Sequence, residues 1–460
     1  MSEATADEGD DGGVVGQHDA LLVAGVIAAL AGLYLLGGAL LDFGVRQQLN
    51  SVATLLFYVA LFAMLGLALN LHWGYTGLFN IGIIGFMAVG IYTTAILSKT
   101  AAVTEPAAGS TGGLGLPLWL GIIGGVVAAA LFGGLIALPA LRLRADYFAI
   151  VTVGVSEIIR FSVKATDFRQ FQIGPYYTGL GGGSGLLLPF DPVDSFVGFF
   201  GLTEPYEGFA ATIGAQLGLG SNPKPIVDSL LYAVILLAFL GMFYSLLRRT
   251  GNSPFGRVLK AIREDEEAAK SLGKNTNRFK IKGFMIGCGL MGLGGILFYG
   301  TQGSITPNQF RPRLTFFIWI ALIIGGAGSN TGSVLGGAVF AAFLFRGPIF
   351  LKNVIEKLVE DSEALTYNAP NDFAQALTTA TSGDVLPFFF YIVDNISQLQ
   401  FVFMGIVLIL LMHNRPEGML GHRKEPASPI QLTRKKPSGG GAPSAAADGG
   451  QPPEEHDDDE

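Results

Sequence analysis

The chain has little of what soluble enzymes are built on. Charged residues fill only 14% of its 460 positions, against about 25% in an ordinary soluble domain. Cysteine occurs once, at Cys288, which excludes an intramolecular disulfide. In its apolar, Gly-rich setting that thiol reads as packed and inert. The five histidines, at 18, 72, 413, 422 and 456, are scattered, and neither an HExxH helix nor a Cys/His cluster exists. GxSxG is absent as well. The nearest approach to a phosphate-binding loop is Gly251, Gly256, Arg257 and Val258. It offers Arg where such a loop needs Lys, and Val where Ser or Thr would hold magnesium. If ATP drives this protein, another chain hydrolyses it. No metal, no cofactor and no nucleic-acid partner is expected.

What is abundant is apolar. Half of the chain is hydrophobic and Gly accounts for 65 residues; mean hydropathy is +0.48. These values point to an all-α, polytopic integral membrane protein. Apolar runs long enough to cross fall at about 21–41, 51–71, 75–97, 117–139, 145–163, 226–247, 283–300, 314–327, 331–347 and 399–413. About ten transmembrane helices are therefore expected, within a transmembrane body over 21–415. The N-terminus is acidic and lacks the basic region of a signal peptide, so the first run is expected to span.

The net charge of −7 misleads about this body. Thirteen acids lie in the first 19 residues and in 440–460, where there is no Lys or Arg. Without them 23 acids face 29 bases, which suits anionic headgroups. The tail 1–20 and the end of 416–460 read as solvated and disordered. With ten spans and both termini inside, 18 Lys/Arg fall on the inside and 10 on the outside, the densest cluster being 248–282. The positive-inside rule then places the termini and 248–282 in the cytoplasm of a cell membrane. The long segments 164–225 and 348–398 become external. The first reads as ordered loop with surface-lying pieces, the second as opening with an amphipathic helix.

Gly spaced by four recurs at Gly121/Gly125, Gly283/Gly287 and Gly328/Gly332/Gly336, the spacing that lets helix backbones approach in lipid. Two Gly-rich stretches, 74–90 and 325–337, are interrupted by Thr76, Asn80, Asn330 and Thr331 and are the best places for broken helices beside a substrate path. Asn70, Asn80 and Tyr92 could line such a path or bond between helices. Glu157 and Arg160 stand three apart and are expected to pair; as intramembrane charges they are permeation or gating candidates. Tyr147 joins that set.

The most informative polar segment is SPFGRVLKAIREDEEAAKSLG, 253–273. Ser253 can cap, Pro254 suits the first turn and Gly273 suits the end. Phe255, Val258, Leu259, Ile262, Ala269 and Leu272 repeat at helical spacing, with Arg257, Lys260, Arg263 and Lys270 mostly turned away. The pattern reads as one amphipathic helix of about 19 residues. A lipid-surface helix, a solvated loop helix and a docking helix remain open on composition alone.

Glu267-Ala268-Ala269, then three residues, then Gly273, resembles the EAA–xxx–G signature of ABC importer permeases. Other stretches are similar to the branched-chain amino-acid permeases of the LivM/LivH type: GYTGLFNIGIIGFMAVGIYTTA (74–95), TGLGGGSGL (178–186), SITPNQF (304–310), IIGGAGSNTGSVLGGA (323–338) and RPEGMLG (415–421). LRADYFAIVTVGVSEIIR (143–160) resembles the LivM branch. Asn80 stands where the family usually has Ser, Ala145 where it has Gly, and an Ile-x-Leu-Pro after Gly273 is missing. The resemblance implies an ABC importer permease, not an enzyme. It further implies a heterodimer with a second permease, two cytoplasmic ATP-binding subunits and an extracytoplasmic substrate-binding protein. The cargo would be a branched-chain or other apolar amino acid. Gly256, Arg257, Ala261, Arg263, Asp265, Glu267, Ala268, Ala269 and Gly273 would form the ATPase-coupling loop. Urea or short-chain amides are the alternative cargo. An ion-coupled secondary carrier is the alternative mechanism, but it would want more buried titratable groups than this chain offers.

Overall fold

The computed structural model describes residues 11–104, 111–143, 145–188, 191–360 and 368–420. The acidic stretches at 1–10 and 421–460 lie outside them. The first apolar run forms α1 (Asp11–Leu40), and the second forms α2 (Val45–Asn70), which continues through one π-helical turn to Tyr75. Then come α3 (Ile83–Ser98), α4 (Leu118–Ala140) and α5 (Ala145–Lys164). The segment 164–225 contains a short hairpin, β1 (Phe171–Ile173) with β2 (Tyr176–Thr178), then β3 (Leu186–Leu187), α6 (Pro192–Phe199) and α7 (Thr203–Gln216). The next run is α8 (Lys224–Asn252). It leads into α9 (Pro254–Glu264), α10 (Glu266–Ser271) and α11 (Thr276–Tyr299). After β4 (Ser304–Ile305), which pairs with β3, come α12 (Arg313–Gly325), α13 (Asn330–Val339) and α14 (Gly347–Glu360). The chain closes with α15 (Phe373–Thr381), α16 (Leu386–Asp394) and α17 (Ile396–Asn414).

Seven helical stretches are long and apolar enough to cross a membrane, and α3 and α12 are shorter apolar helices. α5 is 20 residues long but carries Asp146, Glu157, Arg160 and Lys164. Helices therefore occupy all ten expected positions, with two departures. The 75–97 run is not one span, because the chain leaves helical geometry at 77–82. The 331–347 run does not stop at 347; it forms a 31-residue stretch from Asn330 to Glu360, about 46 Å at 1.5 Å per residue. The amphipathic opening of 348–398 is thus a helical continuation of the 331–347 run.

Two ends of the bundle can be distinguished by hydrogen bonds. At one, Thr331 donates to Asp19 (3.3 Å), and the backbone of Met419 and Leu420 bonds to Ile324 and Gly325 (2.8 and 3.0 Å). Both ends of the described helical body thus meet where α12 gives way to α13. At the other end, Tyr177 bonds to Ala102 (2.7 Å) and Leu188 to Gly303 (2.7 Å), folding 164–188 over the tops of α3 and α11.

The glycine pattern serves packing. Where α3 crosses α11, a Cβ on Gly90 would stand 2.5 Å from the Gly292 carbonyl oxygen and 2.7 Å from its Cα. Gly121 and Gly125 bring α4 against Ser98 and Thr94 of α3, and Gly337 brings α13 onto the backbone at Ala63. Lipid supplies no hydrophobic drive between helices, so close backbone approach and dispersion hold them together.

Candidate functional site

Both Gly-rich stretches break, and the two breaks interlock. The first lies at 77–82 between α2 and α3, the second at 326–329 between α12 and α13. Asn70, fully buried at the end of α2, accepts from the Gly328 backbone at 2.7 Å and donates to Asn330 Oδ1 at 3.2 Å. Asn330 in turn donates to the Tyr75 hydroxyl at 2.7 Å. Peptide groups freed by broken helices need such partners where water is excluded. Ser329 caps α13 by accepting from Gly332 N at 3.0 Å.

Asn80 and His72 hold the first break from within. Asn80 accepts from Gly82 N at 2.8 Å and donates to His72 Nδ1 at 3.1 Å, while its own carbonyl accepts from Trp319 Nε1 at 3.0 Å. His72 Nε2 meets the Phe284 carbonyl at 3.0 Å. A carbonyl only accepts, so the proton is assigned to Nε2 and the imidazole is neutral. Its ring stacks on Phe284 at 4.6 Å. Asn70 and Asn80 thus make bonds between helices at the breaks, one of the two readings that the sequence left open.

The polar segment 253–273 lies directly beneath. It is two helices, not one. Asp265 ends α9 and caps α10, accepting from Glu267 N and Ala268 N, both at 2.9 Å. An acidic side chain that can bond its own downstream amides competes with continuing the helix. The charged residues are turned away only in part: Arg257 and Lys270 are exposed, Lys260 and Arg263 are not. Lys260 is 1% exposed and its ammonium sits 5.0 Å from the centre of the Tyr75 ring. Arg263 donates from Nη1 to the Gly74 carbonyl. Leu272, expected on the apolar face, is 80% exposed. The other coupling-loop residues divide by side. Gly256 and Ala269 are buried, while Arg257, Ala261, Asp265, Glu267, Ala268 and Gly273 are exposed. Gly273 has φ +77° with nothing near its missing Cβ, so the left-handed turn alone selects it.

Beside the contact of Arg263 with Gly74 lies a cavity of about 630 Å³, lined by Thr76, Phe79, Arg142, Phe148, Arg263 and Glu266 among others. On its rim, Glu266 clamps α10 to α11, accepting from Lys280 at 2.5 Å and Thr276 at 3.0 Å, with Lys270 at 3.1 Å. Partial burial pushes the Glu266 carboxyl up, but the bonds from Lys280, Lys270 and Thr276 outweigh it and hold it below the ordinary range. A depressed carboxylate pKa contributes stability that is complete above the unfolded value and lost as pH falls through the folded one. A nitroxide on Ser271→Cys should therefore stay ordered at neutral pH and loosen only below the usual glutamate range of about 4. Adding Glu266→Gln should loosen it at every pH; equal mobility with and without that change would remove the clamp.

The remaining residues singled out in the sequence do not join this site. Tyr92 is buried in α3, its ring 5.5 Å from Phe310 and its hydroxyl without a hydrogen-bond partner among the described residues. Glu157 and Arg160 do pair on α5, with Nε–Oε contacts of 3.0 and 3.1 Å, and both are half-buried. Tyr147 is 60% exposed. The periodicity of 253–273 missed Lys260 and Glu266 because their partners, Tyr75 and Lys280, lie on other elements. His72 carried a weak signal as the one histidine close to a span's interior.

The family model of the branched-chain amino acid transport system / permease component matches residues 51–358. The chain is 33% identical over 294 residues to the high-affinity branched-chain amino acid transport system permease protein LivM of Escherichia coli, covering 64% of this chain and 62% of that protein. It is 33% identical over 279 residues to the LivM of Salmonella typhimurium, covering 61% and 59%. It is 26% identical over 312 residues to a probable LivM of Methanocaldococcus jannaschii, covering 63% and 79%. The chain thus spans about three fifths of the length of the first two. No solved structure matches.

Proposed function

The chain belongs to the family of branched-chain amino-acid transport permeases, and on that premise we propose that it is the permease subunit of an ABC importer for branched-chain or other apolar amino acids. It is a multi-pass membrane protein and the catalytic work of ATP hydrolysis falls to separate subunits. Two cytoplasmic ATP-binding subunits, a second permease and an extracytoplasmic binding protein complete the proposed assembly. Its place is the plasma membrane, with both termini and 253–273 in the cytoplasm and with 164–225 and 348–398 outside.

One observation carries the reading: α9 touches the first helix break directly, Arg263 packing on Gly77. Its exposed side, with Arg257, Ala261, Glu267, Ala268 and Leu272, is free to meet an ATPase groove. Its inward side holds Gly74 through Arg263 and Tyr75 through Lys260. Tyr75 bonds Asn330 and so reaches the second break. Movement imposed on the loop by closing ATPases then reaches both breaks through a few polar contacts. Such a link works only if the partners bind the two access states with different affinity.

Gly273→Val tests the docking end. A β-branched residue resists φ +77° by about 1–2 kcal/mol, which deforms the turn after α10. Uptake in cells should fall about fivefold or more, with the variant still inserted at normal level and co-purifying less ATPase. Normal uptake with normal ATPase retention would count against the coupling role.

A further inference from the structure

The cavity of about 630 Å³ beside the first break is lined by four cations, Arg142, Arg263, Lys270 and Lys280, and by one carboxylate, Glu266. The cations come from separate elements. Arg142 follows α4, Arg263 lies on α9, Lys270 on α10 and Lys280 near the start of α11. The carboxylates within reach do not balance them. Lys270 and Lys280 share Glu266, at 3.1 and 2.5 Å, and Arg263 pairs with Glu264. The Arg142 guanidinium has no hydrogen-bond or ion-pair partner among the described residues. Four cations thus share two carboxylates.

Arg263 and Lys280 keep only 20% and 13% of their side-chain surface open, so water and salt screen them less than surface charges. Like charges gathered in a partly buried space repel one another, and an anion placed among them offsets that repulsion. Polar cavities in this molecule are not positive as a rule. One of about 650 Å³ among α2, α6 and α8 is lined by Asp191 and Asp228 and by no Lys or Arg.

The lining also selects the kind of anion. Guanidinium forks match the paired oxygens of a phosphate, ammonium groups add point charges, and Asn277 adds an amide. Phe79, Leu143 and Phe148 supply an apolar wall. Cations beside an apolar edge are what basic pockets between membrane helices offer a phospholipid headgroup. A free phosphate would use the cations alone.

We propose that this cavity is a phosphate-binding site, which takes the headgroup of an anionic phospholipid or a free phosphate between Arg142, Arg263, Lys270 and Lys280. One phosphate bound there ties the turn after α4 to α9, α10 and α11, and steadies the loop helices beside the first break. The site is additional to the importer reading and does not depend on the cargo.

The test uses the protein, with whatever subunits it retains, in lipid nanodiscs. Phosphatidylglycerol added to phosphatidylcholine discs, or inorganic phosphate added at constant ionic strength to discs of phosphatidylcholine alone, should raise the thermal midpoint by about 2–4 °C. A gain from phosphatidylglycerol alone identifies the headgroup as the ligand, and a gain from inorganic phosphate identifies the free anion. Arg142→Gln should lose most of the gain yet match the wild type in phosphatidylcholine alone, since that guanidinium holds nothing within the chain. Lys274→Gln removes the same charge from an exposed position outside the cavity and should keep the gain. Native mass spectrometry should count less retained phosphatidylglycerol or phosphate on Arg142→Gln than on Lys274→Gln. No gain in the wild type, or equal gains in the two variants, overturns the site. Either result is read whether or not ATPases and a second permease co-purify, so a failure here leaves the importer reading untouched.

Discussion

Gly90→Leu is expected to leave almost no folded protein in the membrane. Gly90 lies where α3 crosses α11, and even its Cβ would stand 2.5–2.8 Å from three backbone atoms of Gly292. Those atoms belong to a helix that cannot step aside, because a Cβ on Gly295 would meet Met87 at 2.5 Å and one on Gly292 would meet the Ala129 Cβ at 2.5 Å. Overpacking of a closed interior costs about 1–3 kcal/mol where neighbours can repack, and more where backbone must move. About 3 kcal/mol or more is a large part of a typical folding stability. The measurement is the monodisperse fraction after mild detergent extraction, with its thermal midpoint. Gly25→Leu is the control: Gly25 on α1 has nothing within 4 Å of its missing Cβ, so it should behave as wild type. Equal recovery of the two variants would show that the α3–α11 crossing is looser than the structure has it.

Arg263→Ala is expected to abolish most uptake without loss of folding or of ATPase binding. Arg263 belongs to α9, yet its guanidinium reaches the carbonyl of Gly74 in the turn that ends α2, and also pairs with Glu264. A hydrogen bond from a charged donor contributes about 1.5–3 kcal/mol. If it acts in one access state and not the other, its loss shifts their balance by about 10- to 100-fold. Uptake should fall by that order while ATPase recovery stays near normal. Arg263→Lys retains a donor but not the planar fork, and should be intermediate. The pattern differs from that of Gly273→Val, where ATPase recovery itself declines. Loss of the ATPase with Arg263→Ala, or uptake at the normal rate, would remove Arg263 from the link between loop and break.

Much of this was legible in advance. Each of the ten apolar stretches coincides with a helix among the described residues, and the Asn- and Thr-interrupted Gly runs mark where two chain segments leave helical geometry. Signals carried by one residue type over a window of fewer than 30 residues survive into the fold, because each helix satisfies its own backbone in lipid. The glycine spacing held for the same reason: small residues four apart share one side of a helix wherever that helix goes. The EAA segment was legible as a motif but not in its shape. Periodicity implied one helix through Asp265, whereas its side chain takes the Glu267 and Ala268 amides and starts a second.

Sequence by itself determined the membrane-helical class, the positions of the helices and the family resemblance, since these depend on composition and local order. It also determined the pairing of Glu157 with Arg160, one turn apart on a single helix. Only the tertiary structure decided which polar residues meet. Asn70 lies 260 positions from Asn330, and Arg263 lies 189 from Gly74; no window of sequence spans either contact. It also decided that Asn80 meets His72, eight positions earlier but across the break. Lipid offers no competing hydrogen bonds, so each polar group in the bundle is placed by the one partner the packing brings within reach.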